Sequence, residues 1–180
     1  MTRMNALLER NARFASNYTP VPLAPPKTGL IIVTCMEHRV DPAITLGLEL
    51  GDTPVIRNTG GRVTETVIGD LAYIGYLAEQ FFAPQSGDDQ LFEVAVLHHT
   101  QCGSGFLADS AFRAFVAAES GLSDEALAAY AVTDPHVTVK ADVEVLLTSP
   151  RISPKIAVSG HVYDIETGRV TVVAEAQRPL

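Results

Sequence analysis

Two cysteines and a histidine carry the first chemical signal in this chain. His98, His99 and Cys102 follow an apolar run, Leu91 to Leu97, and precede Gly103-Ser104-Gly105. The other cysteine, Cys35, ends a second apolar run that starts at Gly29. Such runs between polar loops suit central parallel strands. Open α/β sheets gather their ligand sites at strand carboxyl ends, so the two runs can deliver their polar ends to one place. Two thiolates and one imidazole there make a zinc site. Three protein ligands rather than four leave the open position of a catalytic zinc. The competing readings are a Cys35–Cys102 disulfide, which is rare in reducing cytosol, and two inert buried thiols. The adjoining histidines and the matched strand ends favour metal.

Beside Cys35 stand Glu37, His38 and Arg39. Arginine offers a planar fork that a carboxylate accepts with both oxygens, so Glu37 and Arg39 are ready to pair. In isolation such a pair is an ordinary solvated contact worth little. Next to a metal ligand it can orient the nucleophile or the group attacked. His38 lies in the site loop, and an imidazole is the side chain suited to shuttling protons, but exposure without a role is the reading preferred. His98 is expected to be structural, and no spacing recruits His136 or His161.

The remaining sequence must position these groups. The chain has 180 residues, 47% of them hydrophobic and 19% charged, with a net charge of −8. That is enough to bury one core. No basic run points to nucleic acid, no apolar stretch reaches membrane-spanning length, and the charged start lacks the core of a signal peptide. Cytoplasm is the expected compartment. There is no GxGxxG fingerprint and no P-loop, which demotes nucleotide enzymes.

Residues 4–17 read as an amphipathic helix, followed by a proline-dense arm over 18–29; together, 1–27 form an arm that either embraces a neighbouring subunit or docks on its own core. Residues 28–180 form the zinc-binding domain. After Cys35, Asp41-Pro42 starts a short helix ending near Gly51, and Val55-Ile56 makes a brief strand before Gly60-Gly61. Val67, Leu71, Ile74, Ala78 and Phe81 mark a helix stopping before Pro84, and 84–90 is a polar loop. A helix from about Ser104 is expected to turn Leu107, Ala111, Ala114, Phe115 and Ala118 inward, and Ser123 opens another. Residues 134–149 are ambiguous: Val137, Val139, Ala141, Val143 and Val145 alternate as in a strand, whereas Asp134-Pro135 signals a helix start. Lys155 to Tyr163 and Val170 to Ala174 close the chain as a hairpin. Alternating strands and helices predict an α/β fold: a mainly parallel central sheet with an antiparallel edge strand, helices on both faces and an N-terminal helical arm.

These residues carry a family resemblance. Cys35-Met36-Glu37-His38-Arg39 resembles the C-x-D-x-R motif of beta-class carbonic anhydrases, and His99-Thr100-Gln101-Cys102-Gly103 their H-x-x-C-G. Arg57-Asn58-Thr59-Gly60-Gly61 is similar to R-N-A-G-G, and Gly160-His161-Val162-Tyr163-Asp164 with Thr167-Gly168 to G-x-V-Y-D…T-G. Order and spacing agree from Gly29 onward, and the HHTxCG form resembles the small-chain branch. The resemblance implies one Zn2+ per chain on Cys35, His99 and Cys102, with Glu37 and Arg39 as catalytic dyad. It implies a zinc lyase that hydrates carbon dioxide reversibly to bicarbonate and a proton through zinc-bound hydroxide. It also implies a homodimer or homotetramer with the N-terminal helix on its partner, and makes 134–149 a helix. Glu37 stands where the family has Asp, and Gln101 where close relatives often carry Asp. The resemblance admits carbonyl sulfide or carbon disulfide hydrolysis on the same ligands. The Glu37 departure keeps open a zinc-binding relative without catalysis.

Overall fold

Three near-continuous runs of buried apolar residues form the middle of a sheet: β1 (Leu30–Cys35), β3 (Phe92–His99) and β4 (Ile156–Tyr163). The computed structural model describes residues 2–81 and 89–179. Two further strands, β2 (Val55–Asn58) and β5 (Val170–Gln177), complete a sheet in the order β2-β1-β3-β4-β5. All neighbours run parallel except β4 and β5, which form the closing antiparallel hairpin. The expected mainly parallel sheet with an antiparallel edge is present. Because β1 lies beside β3 in parallel with Thr34 opposite Leu97, Cys35 and His99 come at the neighbouring carboxyl ends of the two strands.

One face of the sheet holds the main core. Ile31, Val33, Val94, Val96, Ile156 and Val158 pack there against Val67, Ile68 and Leu71 of α3 (Glu65–Phe81). Val139, Val143 and Leu146 of α6 (Pro135–Thr148) cover the same face. Residues 134–149 are therefore a helix, as the resemblance implied and as valine alternation did not. Asp134 accepts from His136 N–H and Pro135 fills the first turn, while Val137 and Val145 point outward. The Asp134-Pro135 start signal agrees with the helix formed; the alternation came from valines on opposite sides of it. On the other face Ile32, Ala95 and Leu97 are buried against Leu30, Leu48 and Tyr163.

The α6 core face also carries Asp142, which is buried. It accepts from Arg62 Nε and Nη2 at 2.7 and 3.0 Å, and lies 3.1 Å from His98 Nε2. His98 Nδ1 sits 2.9 Å from Thr138 Oγ1. His98 is thus structural, as expected: it ties the end of β3 to α6. The Asp142 carboxyl stays below its usual range because the His98 and Arg62 contacts outweigh the burial that opposes ionisation.

Three local expectations need correction. The early helix α2 covers only Pro42–Thr45, since Gly47 takes a left-handed turn soon after. The helix expected from Ser104 begins later. A 3-10 turn spans Gly103–Ala108, then α4 runs Ser110–Ser120 from an Asp109 cap. Leu107 is buried, but Ala111, Ala114, Phe115 and Ala118 are exposed. Arg113 fixes the opposite side inward by donating to the Leu107 and Ala108 carbonyls and to Asp124, at the start of α5 (Asp124–Ala129). In a helix with alanine on most sides, composition does not mark the inward one. The polar loop 84–90 and the stop before Pro84 fall mainly or wholly outside the described residues. The N-terminal helix α1 spans Asn5–Ala15 and buries none of its residues.

Candidate metal centre

The parallel pairing of β1 with β3 fixes the first two donors, and the turn after β3 returns the third. Cys35 Sγ lies 3.8 Å from Cys102 Sγ, and with a His99 ring nitrogen the three ligand atoms are all within 4.8 Å of one another. Two thiolates on a tetrahedral zinc at ~2.3 Å stand about 3.8 Å apart. The sulfur spacing therefore matches zinc coordination. His99 supplies the second sign of fit: Nδ1 is 2.9 Å from the Thr100 carbonyl, while Nε2 is buried with no hydrogen-bond partner. An imidazole whose Nδ1–H is anchored to a carbonyl presents Nε2 as a ligand.

The surroundings suit thiolate. Between the two cysteines a shared proton pushes Cys35 well above the ordinary thiol range and Cys102 down to about 4. Burial opposes the Cys102 shift, and His99 and Ser104 add to it, with the Ser104 hydroxyl 3.1 Å from the sulfur. Backbone N–H groups of Glu37 and Gly60 are directed at Cys35 and favour its thiolate. Burial works against charging His99, but the Cys102 sulfur and other neighbours raise its pKa overall.

Glycine is required at Gly61. Its φ is +68°, and a Cβ there would lie 2.6 Å from the Cys35 nitrogen. The Gly60-Gly61 turn therefore lies against the strand end that carries the first ligand. Arg57, three residues before Gly60, holds the loop after Cys35. It donates to the carbonyls of Cys35, Glu37 and Val40 at 3.1, 2.8 and 2.8 Å.

On that loop Glu37 and Arg39 are paired. Arg39 Nε donates to Glu37 Oε1 at 2.6 Å and Nη2 donates to Oε2, a fork on both carboxylate oxygens. The Arg39 fork holds the Glu37 carboxyl down at about 2 against partial burial. Arg39 Nη2 also donates to the Gln101 carbonyl, 3.2 Å away, between the two later ligands. His38 is 91% exposed and lies 3.5 Å from Glu37 Oε1. His136 and His161 stand apart from the cluster, as spacing implied.

Sequence reasoning brought together all five residues it selected. It missed the Arg57 carbonyl clamp and the contact of Arg39 with the carbonyl of Gln101, whose backbone is left-handed at φ 54°. Arg57 was visible only as part of a motif, and no local pattern marks a guanidinium that binds main-chain oxygens.

A scan against protein-family models finds no match. A curated relative, beta-carbonic anhydrase 1 of Mycobacterium tuberculosis, is 29% identical over 174 residues, covering 96% of this chain and 99% of that protein. A carbon disulfide hydrolase of Acidianus is 26% identical over 78% of this chain and 75% of its own length. Among solved structures, a carbonic anhydrase of Streptococcus mutans is 35% identical with a TM-score of 0.76, covering 96% of this chain and 98% of that one. With a sulfur–sulfur spacing that fits zinc, a paired Glu37–Arg39 and this breadth of similarity, the chain belongs to the beta-class carbonic anhydrase family.

Proposed function

We propose that this protein hydrates carbon dioxide reversibly to bicarbonate and a proton, as a zinc lyase with one zinc per chain on Cys35, His99 and Cys102. The observation that carries the reading is the Glu37–Arg39 fork placed beside an open three-ligand cluster. Bound there, zinc supplies Lewis acidity that lowers the pKa of water toward ~7, so a nucleophile exists at neutral pH.

The chain's own residues do the rest. Arg39 fixes the Glu37 carboxylate, whose free lone pairs accept the nucleophile's O–H and so aim its oxygen at the substrate carbon. The guanidinium adds positive charge where bicarbonate gains its negative charge. Arg57 keeps the Glu37 loop from shifting, and the carbonyl of Thr100 holds His99 in one orientation.

Stopped-flow hydration with a pH indicator, run beside a sulfide-release assay on carbon disulfide and carbonyl sulfide, tests the substrate. Hydration at rates far above buffer with no sulfide is the expected result. Fast sulfide release with weak hydration would transfer the protein to the activity of its carbon disulfide hydrolase relatives.

We also propose that 1–27 is an assembly arm and 28–180 the zinc-binding unit, working as a homodimer or a larger even assembly. Leu7, Leu8 and Phe14 of α1 are exposed. The second sheet face carries a 170 Å³ groove lined mostly by apolar side chains, among them Leu30, Ile32, Ala95 and Leu97, with His161 in its wall. The apolar side chains of α1 are not covered within one chain. A chain beginning at Lys27 is expected to run as a monomer by light scattering; an unchanged stable assembly would free the arm of this role. Two free cysteines with sulfurs 3.8 Å apart suit a reducing compartment, which supports the cytoplasm. Among the described residues no helix is long and apolar enough to cross a membrane.

A further inference from the structure

Gln101 is the only non-glycine residue with a positive φ among the described residues. Left-handed backbone is unfavourable for a side chain of this kind and persists where the surroundings impose it. Here two contacts impose it. The Gln101 carbonyl accepts from Arg39 Nη2, and the Gln101 side-chain amide donates to Glu166 Oε1 at 2.7 Å.

Glu166 is itself held. It lies in the turn between β4 and β5, where Asp164 accepts from the N–H groups of Glu166 and Thr167, both at 2.8 Å. The turn is joined to the metal loop by two more bonds. Thr100 N–H donates to the Tyr163 carbonyl at 3.0 Å, and Ile165 N–H donates to Thr100 Oγ1 at 3.0 Å. A line of contacts therefore runs from the hairpin turn through Glu166 and the Gln101 peptide to Arg39, and from Arg39 to Glu37.

We propose that Gln101 and Glu166 are positioning residues for the dyad: Glu166 holds the left-handed Gln101 peptide so that its carbonyl fixes the Arg39 guanidinium. Glu37 restrains Arg39 on one side only. The Gln101 carbonyl is the second anchor. A carboxylate at position 101 would repel Glu166 instead of donating to it, so a neutral amide donor is what this tether needs. The inference rests on the dyad reading above.

The test uses the full chain with zinc bound, in Glu166→Ala, Glu166→Gln and Gln101→Gly. Each is measured for hydration rate, for zinc content and for the Arg39 Nε–H signal in 15N spectra. Glu166→Ala is expected to lower kcat roughly 3- to 10-fold, a part of the roughly 100-fold that a 1 Å misplacement costs. Zinc content stays full and the Arg39 signal broadens. Gln101→Gly keeps the backbone conformation but loses the amide, and is expected to match it. Glu166→Gln keeps an acceptor oxygen and is expected to recover both rate and signal. Full rate and an unchanged signal in Glu166→Ala would overturn the proposal. So would a loss of rate in step with zinc, or a failure of Glu166→Gln to recover. If the unmodified protein does not hydrate carbon dioxide, the proposed activity fails by itself, while the Arg39 signal still reads the tether.

Discussion

Cys102→Ser is expected to purify with under about a tenth of the zinc of the unmodified protein, and with its hydration activity gone. The donor set has three members, so this change removes a third of it and replaces a thiolate with an alcohol that stays protonated at neutral pH. Loss of a residue that merely supports a ligand costs metal affinity 10- to 100-fold; losing a ligand should exceed that. Elemental analysis under matched metal exposure reads the result directly. Circular dichroism should remain that of the folded protein, because Cys102 lies in the turn beyond the carboxyl end of β3, outside the core that Val94 and Val158 help to form. Zinc retained at full stoichiometry would remove this cluster from the chemistry.

Arg39→Ala is expected to keep its zinc and to lose hydration by about 100-fold. The guanidinium touches no sulfur and contributes no ligand, so metal content has no reason to fall. Its loss frees the Glu37 carboxylate from both of its fork contacts. Misplacement of the group that aims the nucleophile, by about an ångström, has that cost. Glu37→Asp preserves the pairing chemistry and shortens the reach, and is expected to keep or raise the rate. Because Arg39 holds Glu37 at about 2, the carboxylate is ionised across the range in which hydration is assayed. Acidification through pH 5 is therefore not expected to break the pair. Unmodified protein and both variants equally inert, with zinc in place, would favour the non-catalytic alternative.

The parts of the site that sequence revealed are those written in residue type. Thiols, imidazole, carboxylate and guanidinium are scarce and chemically distinctive, so Cys35, His99, Cys102, Glu37 and Arg39 stood out before any fold was known. The sheet was legible because buried parallel strands are uniformly apolar. What stayed hidden was written in the backbone. The Gln101 carbonyl and the Arg57 clamp depend on main-chain oxygens that every residue carries. The inward face of α4 was misread because its alanines fit either side, and Arg113, a charged residue, decided it through carbonyls in the preceding turn. The valine run in α6 shows the converse: two periods fitted the same side chains, the Asp134-Pro135 start signal did not decide between them, and only the family resemblance implied the helix that forms.

The ligand spacing has a consequence outside catalysis. Cys35 and Cys102 are 67 positions apart in the chain, yet their sulfurs share one small volume. A metal bound to both closes a loop of that size, much as a covalent bridge would. Removing the chain entropy of such a loop from the unfolded ensemble is worth about 4 kcal/mol. That is a sizeable share of the 5–15 kcal/mol by which domains are typically stable. Zinc bound to both would then also staple β1 to the turn after β3, and a chelator strong enough to strip it would withdraw mechanical support from the sheet at the same moment that it ended the chemistry.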